Sequence, residues 1–409
     1  MGQGLIGSST TSGVLSPQEG TTGVSSKRFI ISAAVFVGIA VGAWVLARSS
    51  ELDKAPALSL LFGAALGVAL ECGRFCFFCI FRESIEERKT RALLSIITAL
   101  AVGAIGYSIV FGLYLPSPGG EGLPPLAHIS PVSIPLIVGA VAFGLGMVLS
   151  GACISGHLYR LGEGWLRSVP ALIGSLIGFG LGFITWNSLY LGMISESPVW
   201  WLPRSLGYGG SLAVTLVVLG ALAWVILKMD RYGPEHREPA RGVIDAVFGR
   251  RWTWLASGSV VGAIGVLAYL RVSPLGVTSQ LSTVSRTFLD GQGLLPEVMH
   301  GIDVMKGCIG TVSSAITNNG WLVIGLVAAS FASATAGGRF KVVVPSVRGS
   351  ATGLAGGVLL GWGAMTSLGC TVGVLLSGTQ SFALSGVVFG AVVYATVVGG
   401  VKLGLHRGE

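Results

Sequence analysis

Phe143-Gly144-Leu145-Gly146-Met147-Val148-Leu149-Ser150-Gly151-Ala152-Cys153-Ile154-Ser155-Gly156 returns near the other end of the chain as Leu360-Gly361-Trp362-Gly363-Ala364-Met365-Thr366-Ser367-Leu368-Gly369-Cys370-Thr371-Val372-Gly373. Counted from the cysteine, both copies carry Gly at −9 and −7, Ser at −3 and Gly at +3. Each copy closes one apolar segment and is followed by another. Three residue types matching at fixed offsets point to an internal repeat. Chance alignment is the alternative in a chain with 64 glycines, and the Ser and Cys matches argue against it.

The medium around this repeat follows from composition. Of 409 residues, 52% are hydrophobic and 11% charged. Soluble domains carry about 25% charged residues. Several apolar runs reach the roughly 20 residues that cross a bilayer core. The sequence is that of an all-α polytopic membrane protein. Abundant glycine suits closely packed membrane helices and broken helices around a cavity. The net charge of +8 lies in loops, with no basic stripe interleaved with aromatics, so nucleic acid is not the partner. The six cysteines do not form a disulfide framework; Cys76, Cys79, Cys153 and Cys370 lie in or beside apolar segments, as buried thiols do. Residues 1–28 are rich in Gly, Ser and Thr, a composition that predicts disorder. They lack the basic-then-apolar order of a cleavable signal, so the run from Phe29 reads as a retained span.

Ten spans are expected, near 29–47, 56–71, 92–114, 132–150, 169–187, 211–228, 252–270, 321–337, 350–366 and 384–402. Lys and Arg in the loops set the orientation. Arg74, Arg82, Arg88, Lys89 and Arg91 place 72–91 in the cytoplasm, and Lys228, Arg231, Arg237, Arg241, Arg250 and Arg251 do the same for 228–251. The loop 115–131 has no Lys or Arg and is rich in proline, so it is external, with Trp200 and Trp201 as an interfacial belt on that side. Arg339, Lys341 and Arg348 mark another inner loop. Lys27 and Arg28 at one end, and Lys402 and Arg407 at the other, put both termini in the cytoplasm. Ten crossings satisfy every loop.

The two copies of the motif then run in opposite directions. Cys153 ends toward the cytoplasm and Cys370 toward the outside. An inverted-topology repeat is the signature of transporters, whose cargo sits near the midplane between discontinuous helices. Residues 29–228 form one membrane half and 252–402 the other, with 229–251 as a cytoplasmic linker and 403–409 as a tail. The stretch 272–320 is too apolar in patches for a free loop and reads as short re-entrant helices lining a cavity.

Glycines flanking Cys153 and Cys370 let the backbone turn and expose N–H groups at a helix start, where an anion can sit. A thiol there offers a weak donor and a soft sulfur. The other reading of each is a small buried hydrophobe; the matched positions favour function. Ser150, Ser367, Gly156 and Gly373 belong to the same two constellations. Cys72, Cys76 and Cys79 fall at i, i+4 and i+7, and would share one helix face. No second CxxC or His pair accompanies them, so no metal is expected. A path role for Cys76 stands beside a structural reading with Arg74 and Arg82 as inner-loop charges. Lys306 precedes Cys308 by two residues, either to attract an anion or to snorkel to the interface. Arg160 and Glu163, at i and i+3, are placed to pair with each other. His157 reads as a core histidine and Asn318-Asn319-Gly320 as a turn. No Walker A loop or G-x-S-x-G elbow is present. Nothing calls for a cofactor or marks an enzyme.

Gly73-Arg74-Phe75-Cys76 with Phe81-Arg82-Glu83, the Cys153 element continued by Tyr159-Arg160 and Gly162-Glu163-Gly164, Gly276-Val277-Thr278-Ser279, and Gly369-Cys370-Thr371-Val372-Gly373 resemble, in order and rough spacing, the successive motifs of the YeeE/YedE family. The resemblance covers about residues 55–402. It implies an hourglass-shaped inverted-repeat fold in the inner membrane and uptake of thiosulfate along a line of cysteine thiols through S–H···S bonds. It also implies a small cytoplasmic sulfur-carrier partner. Some members are linked to selenium or other sulfur compounds. By motif, Cys153 and Cys370 correspond to relay thiols and Cys76 to the cysteine of the Gly-Arg-Phe-Cys element. Cys308 stands as a third relay candidate without a matching surround. The extra N-terminal segment, Cys72 and Cys79 depart from the shorter members. A membrane sulfurtransferase carrying a Cys persulfide and a membrane scaffold for a sulfur enzyme are the other classes that the residues allow.

Overall fold

Apolar residues without helical breakers run on until a glycine or a left-handed residue stops them, and this punctuation sets the elements. The structure, a computed structural model, describes residues 26–49, 53–120, 122–233, 242, 244–302 and 309–407. It contains thirteen α-helices among these residues: α1 (Ser26–Ser49), α2 (Ala55–Gly73), α3 (Phe77–Glu86), α4 (Leu93–Tyr114), α5 (Ile134–Ser150), α6 (Ile154–Glu163), α7 (Ser168–Leu189), α8 (Pro203–Met229), α9 (Trp254–Arg271), α10 (Ser279–Gly291), α11 (Asn318–Ala336), α12 (Val347–Thr366) and α13 (Leu384–Lys402). A π-helical segment, Thr371–Gly378, follows α12.

Nine helical stretches among the described residues are long and apolar enough to cross a bilayer, and ten with α12 and the π segment, bent by 40°, as one broken span. Most expected spans are found, and three of them run further than hydropathy suggested. The 72–91 stretch is not a plain loop, because α3 continues from α2 after a three-residue break. Likewise α6 continues α5. Among the described residues of 272–317, α10 is the one helix. Asn318, Asn319 and Gly320 form the first turn of α11, capped by Thr317, rather than a turn before it.

The breaks have local causes. Gly151 takes φ 86° after α5, which costs glycine nothing. At the matched place after α12 stands Leu368 with φ 64°, followed by Gly369. A left-handed leucine is strained by about 1–2 kcal/mol. Arg74, at φ 48°, ends α2.

Packing repeats with the elements exchanged. α2 lies on α11 as α9 lies on α4, α5 on α13 as α12 on α7, and α3 on α13 as α10 on α7. α2 with α9, and α5 with α12, are the self-paired contacts. Equivalent helices run antiparallel. The end of α2 at Gly73 meets the start of α9 at Ser257. In the α5–α12 crossing, a Cβ at Gly146 would lie 2.7 Å from Gly356 O, and one at Gly363 would lie 2.6 Å from Gly139 O. Gly146 and Gly363 are the −7 positions of the two copies, so each motif supplies one side of the same close approach. Small residues are required there because the backbones touch.

α8, kinked at Gly207, joins the two sets and leaves most of its apolar surface exposed, as does α1. In a multi-pass membrane protein that surface is solvated by lipid. Trp201 is not part of an interfacial belt. It is buried against Phe111 and Tyr208 and donates Nε1–H to Ser381 O at 2.8 Å. Trp200 beside it is exposed.

Candidate functional site

Of the long helices after α1, four have a side-chain cap and five, α2, α4, α7, α8 and α13, do not. The long helices α5, α9, α11 and α12 begin at Ser133, Thr253, Thr317 and Ser346, and each hydroxyl accepts a backbone N–H of its first turn. The second segments α3, α6, α10 and the π segment begin at Cys76, Cys153, Thr278 and Cys370, and none forms a side-chain cap bond. Three of four interrupted spans therefore carry sulfur where a capping oxygen is usual. Each such start presents about half a positive charge, and at α6 the Gly156 N–H is in reach of Cys153.

These sulfur-bearing starts lie in one buried cluster. Cys76 and Cys153, 77 residues apart in the chain, have side chains within hydrogen-bonding reach of each other. Cys79, one turn into α3, is likewise in reach of Cys76. Thr371, next to Cys370, lies near Cys153, and its buried hydroxyl forms no hydrogen bond among the described residues. Cys76, Cys153 and Cys370 are at most 1% exposed. No described cysteine is in a disulfide. Cys153, Cys76 and Cys79 thus neighbour one another in turn, while Cys370 is adjacent in the chain to Thr371.

Gly156 keeps this line closed up. A Cβ there would stand 3.1 Å from Cys76 Sγ and 3.5 Å from Cys153 Sγ. Gly373 holds the equivalent place, buried in the π segment. Ser150 and Ser367 turn away from the thiols. Ser150 Oγ lies 2.7 Å from Gly146 O and 3.0 Å from Ala152 O; Ser367 Oγ lies 2.6 Å from Gly363 O and 3.0 Å from Gly369 O. Each hydroxyl bridges the helix end to the break beyond it and so supports the backbone there. Lys306 and Cys308 lie outside the described residues.

The three cysteines of 72–79 do not share a face, because the left-handed Arg74 redirects the chain between them. Cys72 donates to Glu71 Oε2 at 3.2 Å, within a separate charged cluster. There Glu71, fully buried, accepts two 2.7 Å bonds from Arg339, while Arg251 bonds both its main-chain and side-chain oxygens. This cluster ties the ends of α2 and α11 to the approach of α9. Glu163 belongs to its edge, 3.8 Å from Arg251. Its expected partner Arg160 instead donates to Gly151 O at 2.9 Å and to Cys79 Sγ at 2.8 Å. His157 is buried, with Nδ1 3.4 Å from Ser168 Oγ. Thr371, Cys79 and Arg160 were missed as partners of the thiols. A cue was present for Cys79: once 74–76 is a break, position 79 is the first turn beyond it.

Comparison with known proteins gives the family of the chain. A sequence profile described as sulphur transport matches residues 72–399. The chain is 26% identical over 343 residues to the thiosulfate transporter TsuA of Escherichia coli (strain K12), covering 77% of this chain and 84% of that protein. It is 26% identical over 344 residues to the thiosulfate transporter TsuA of Spirochaeta thermophila, covering 80% and 92%. The probable transporter YedE of E. coli is 28% identical over 205 residues, half of this chain and 48% of that protein.

Proposed function

The chain belongs to the sulphur transport family, and we propose that it is a permease for thiosulfate, handed along Cys370, Cys153 and Cys76 by S–H···S contacts. The observation that carries this reading is the meeting of Cys76 with Cys153, and of Cys153 with Thr371, at uncapped helix starts that belong to separate broken spans. A divalent anion in a dry interior needs compensation. Helix starts and thiols supply it as partial charge, which holds an ion without trapping it. A soft terminal sulfur matches a thiol better than a hydroxyl does. The chain acts here as a transporter and not as an enzyme.

The finer elements of the reading go with it. Residues 29–228 and 252–402 are the two halves and 229–251 the linker. Both termini face the cytoplasm, as the inner-loop Lys and Arg favour, and the membrane is the inner one. A small cytoplasmic sulfur carrier receives the cargo.

The test is radiolabelled thiosulfate uptake by cells in which this chain is the only thiosulfate permease. Uptake is expected to vanish in Cys153→Ala and in Cys370→Ala while the proteins still reach the membrane. Uptake surviving in the double variant would sink the relay. Unlabelled selenite or sulfite that outcompetes thiosulfate would move the cargo to another selenium or sulfur species. A mass gain of one sulfur on Cys76 or Cys153 would point to a persulfide carrier.

A further inference from the structure

The line of thiols does not stop at Cys76. Cys79 extends it, and the guanidinium of Arg160 closes it at 2.8 Å from Cys79 Sγ. Among the described residues no carboxylate lies within 4.0 Å of Arg160, and the side chain is only partly exposed. A half-buried cation without a carboxylate leaves its charge for another anion. Arg160 also walls a small cavity with Ser150, His157, Trp165, Arg167 and Ser168. The volume, about 20 Å³, holds about one water. His157 is 3% exposed and lines this cavity with an Nε2 that has no partner. So a dry run of sulfur atoms meets, in order, a thiol, a cation and a polar cavity with an unused imidazole nitrogen.

We propose that Cys79 and Arg160 form a fourth station beyond Cys76, where the guanidinium takes the oxyanion end of the cargo and the Cys79 thiol its terminal sulfur. The inference rests on the transport reading above and adds two residues to it. No covalent step is involved. Partial charges along the thiols pass the ion inward, and the full charge of Arg160 draws it off Cys76. The polar cavity behind begins its rehydration, with oxygens meeting His157 and Ser168 in place of water. A cation earlier on the path would trap the ion. At its wet end the same cation is screened and lets go.

The structural alternative is that Arg160 only caps the end of α5 through Gly151 O. Uptake of radiolabelled thiosulfate, measured over a range of concentrations in cells making full-length variants, separates the two, with melting of each purified protein recorded alongside. Cys79→Ala, which leaves the Gly151 bond intact, is expected to lower the maximal rate about tenfold, as does Arg160→Gln, each being the loss of one charge-assisted contact. Arg160→Lys keeps the charge and is expected to stay within about threefold of wild type. A normal rate in Cys79→Ala, or equal losses in Arg160→Lys and Arg160→Gln, overturns the station. These outcomes leave the relay itself standing, since that fails only if Cys153→Ala with Cys370→Ala still transports.

Discussion

Ser150 and Ser367, 217 positions apart in helices that run in opposite directions, make the same pair of contacts: a main-chain carbonyl one turn back and another just past the break. Repetition of so local a device, in inverted orientation, ties the repeat to backbone mechanics. At each break the serine hydroxyl adds a bond to main-chain carbonyls within an apolar interior, where such groups need partners.

Ser150→Ala and Ser367→Ala should therefore destabilise the fold by similar amounts, about 1 kcal/mol each. Thermal unfolding of the purified protein measures this as a drop of about 1 °C. Thiosulfate uptake per folded molecule should stay at the wild-type rate in both. A selective loss of uptake with unchanged melting would put these hydroxyls on the cargo instead.

Glu71 should be the least replaceable charge in the protein. It is fully buried and grips Arg339 with both oxygens. Glu71→Gln leaves Arg339 without its counter-ion, at a cost of about 3 kcal/mol. Arg339→Met should cost a similar amount. Because the two share one contact, the double variant should lose clearly less than the sum. Additive losses in a melting series would mean that the pair is not coupled.

Stability should fall on acidification through His128. This residue sits before α5, outside the spans, and burial lowers its imidazole from the ordinary 6.5 to about 4. Above pH 6.5 the ring is neutral whether the protein is folded or not, and the full stability is present. Between pH 6.5 and about 4 the unfolded chain takes up the proton first, so stability drains across that window, by roughly 3 kcal/mol at most. His128→Gln should flatten this part of the melting-against-pH curve. An unchanged slope in the variant would assign the acid sensitivity elsewhere.

Much of this molecule is written locally. Long apolar runs dictate helices in lipid, since backbone groups there must bond within the segment. Glycine at −9 and −7 marks where two helices can touch, and Gly151 marks where one must turn. Hydropathy could not place α3 and α6, because short segments behind a break look like loops when Arg or Glu is nearby. It also misread Trp201, whose partner Ser381 O is distant in sequence.

The sequence by itself determined the long spans, the inverted repeat and the cysteines at its turning points, because each depends on the chemistry of neighbouring residues in an apolar solvent. The tertiary structure alone decided which groups face one another: Cys76 with Cys153, Cys153 with Thr371, Arg160 with Cys79 rather than Glu163, and Glu71 with Arg339. Those pairings depend on how helices distant in the chain settle against one another. Glycine contacts of under 3 Å to a would-be Cβ select that arrangement, and no local spacing encodes it.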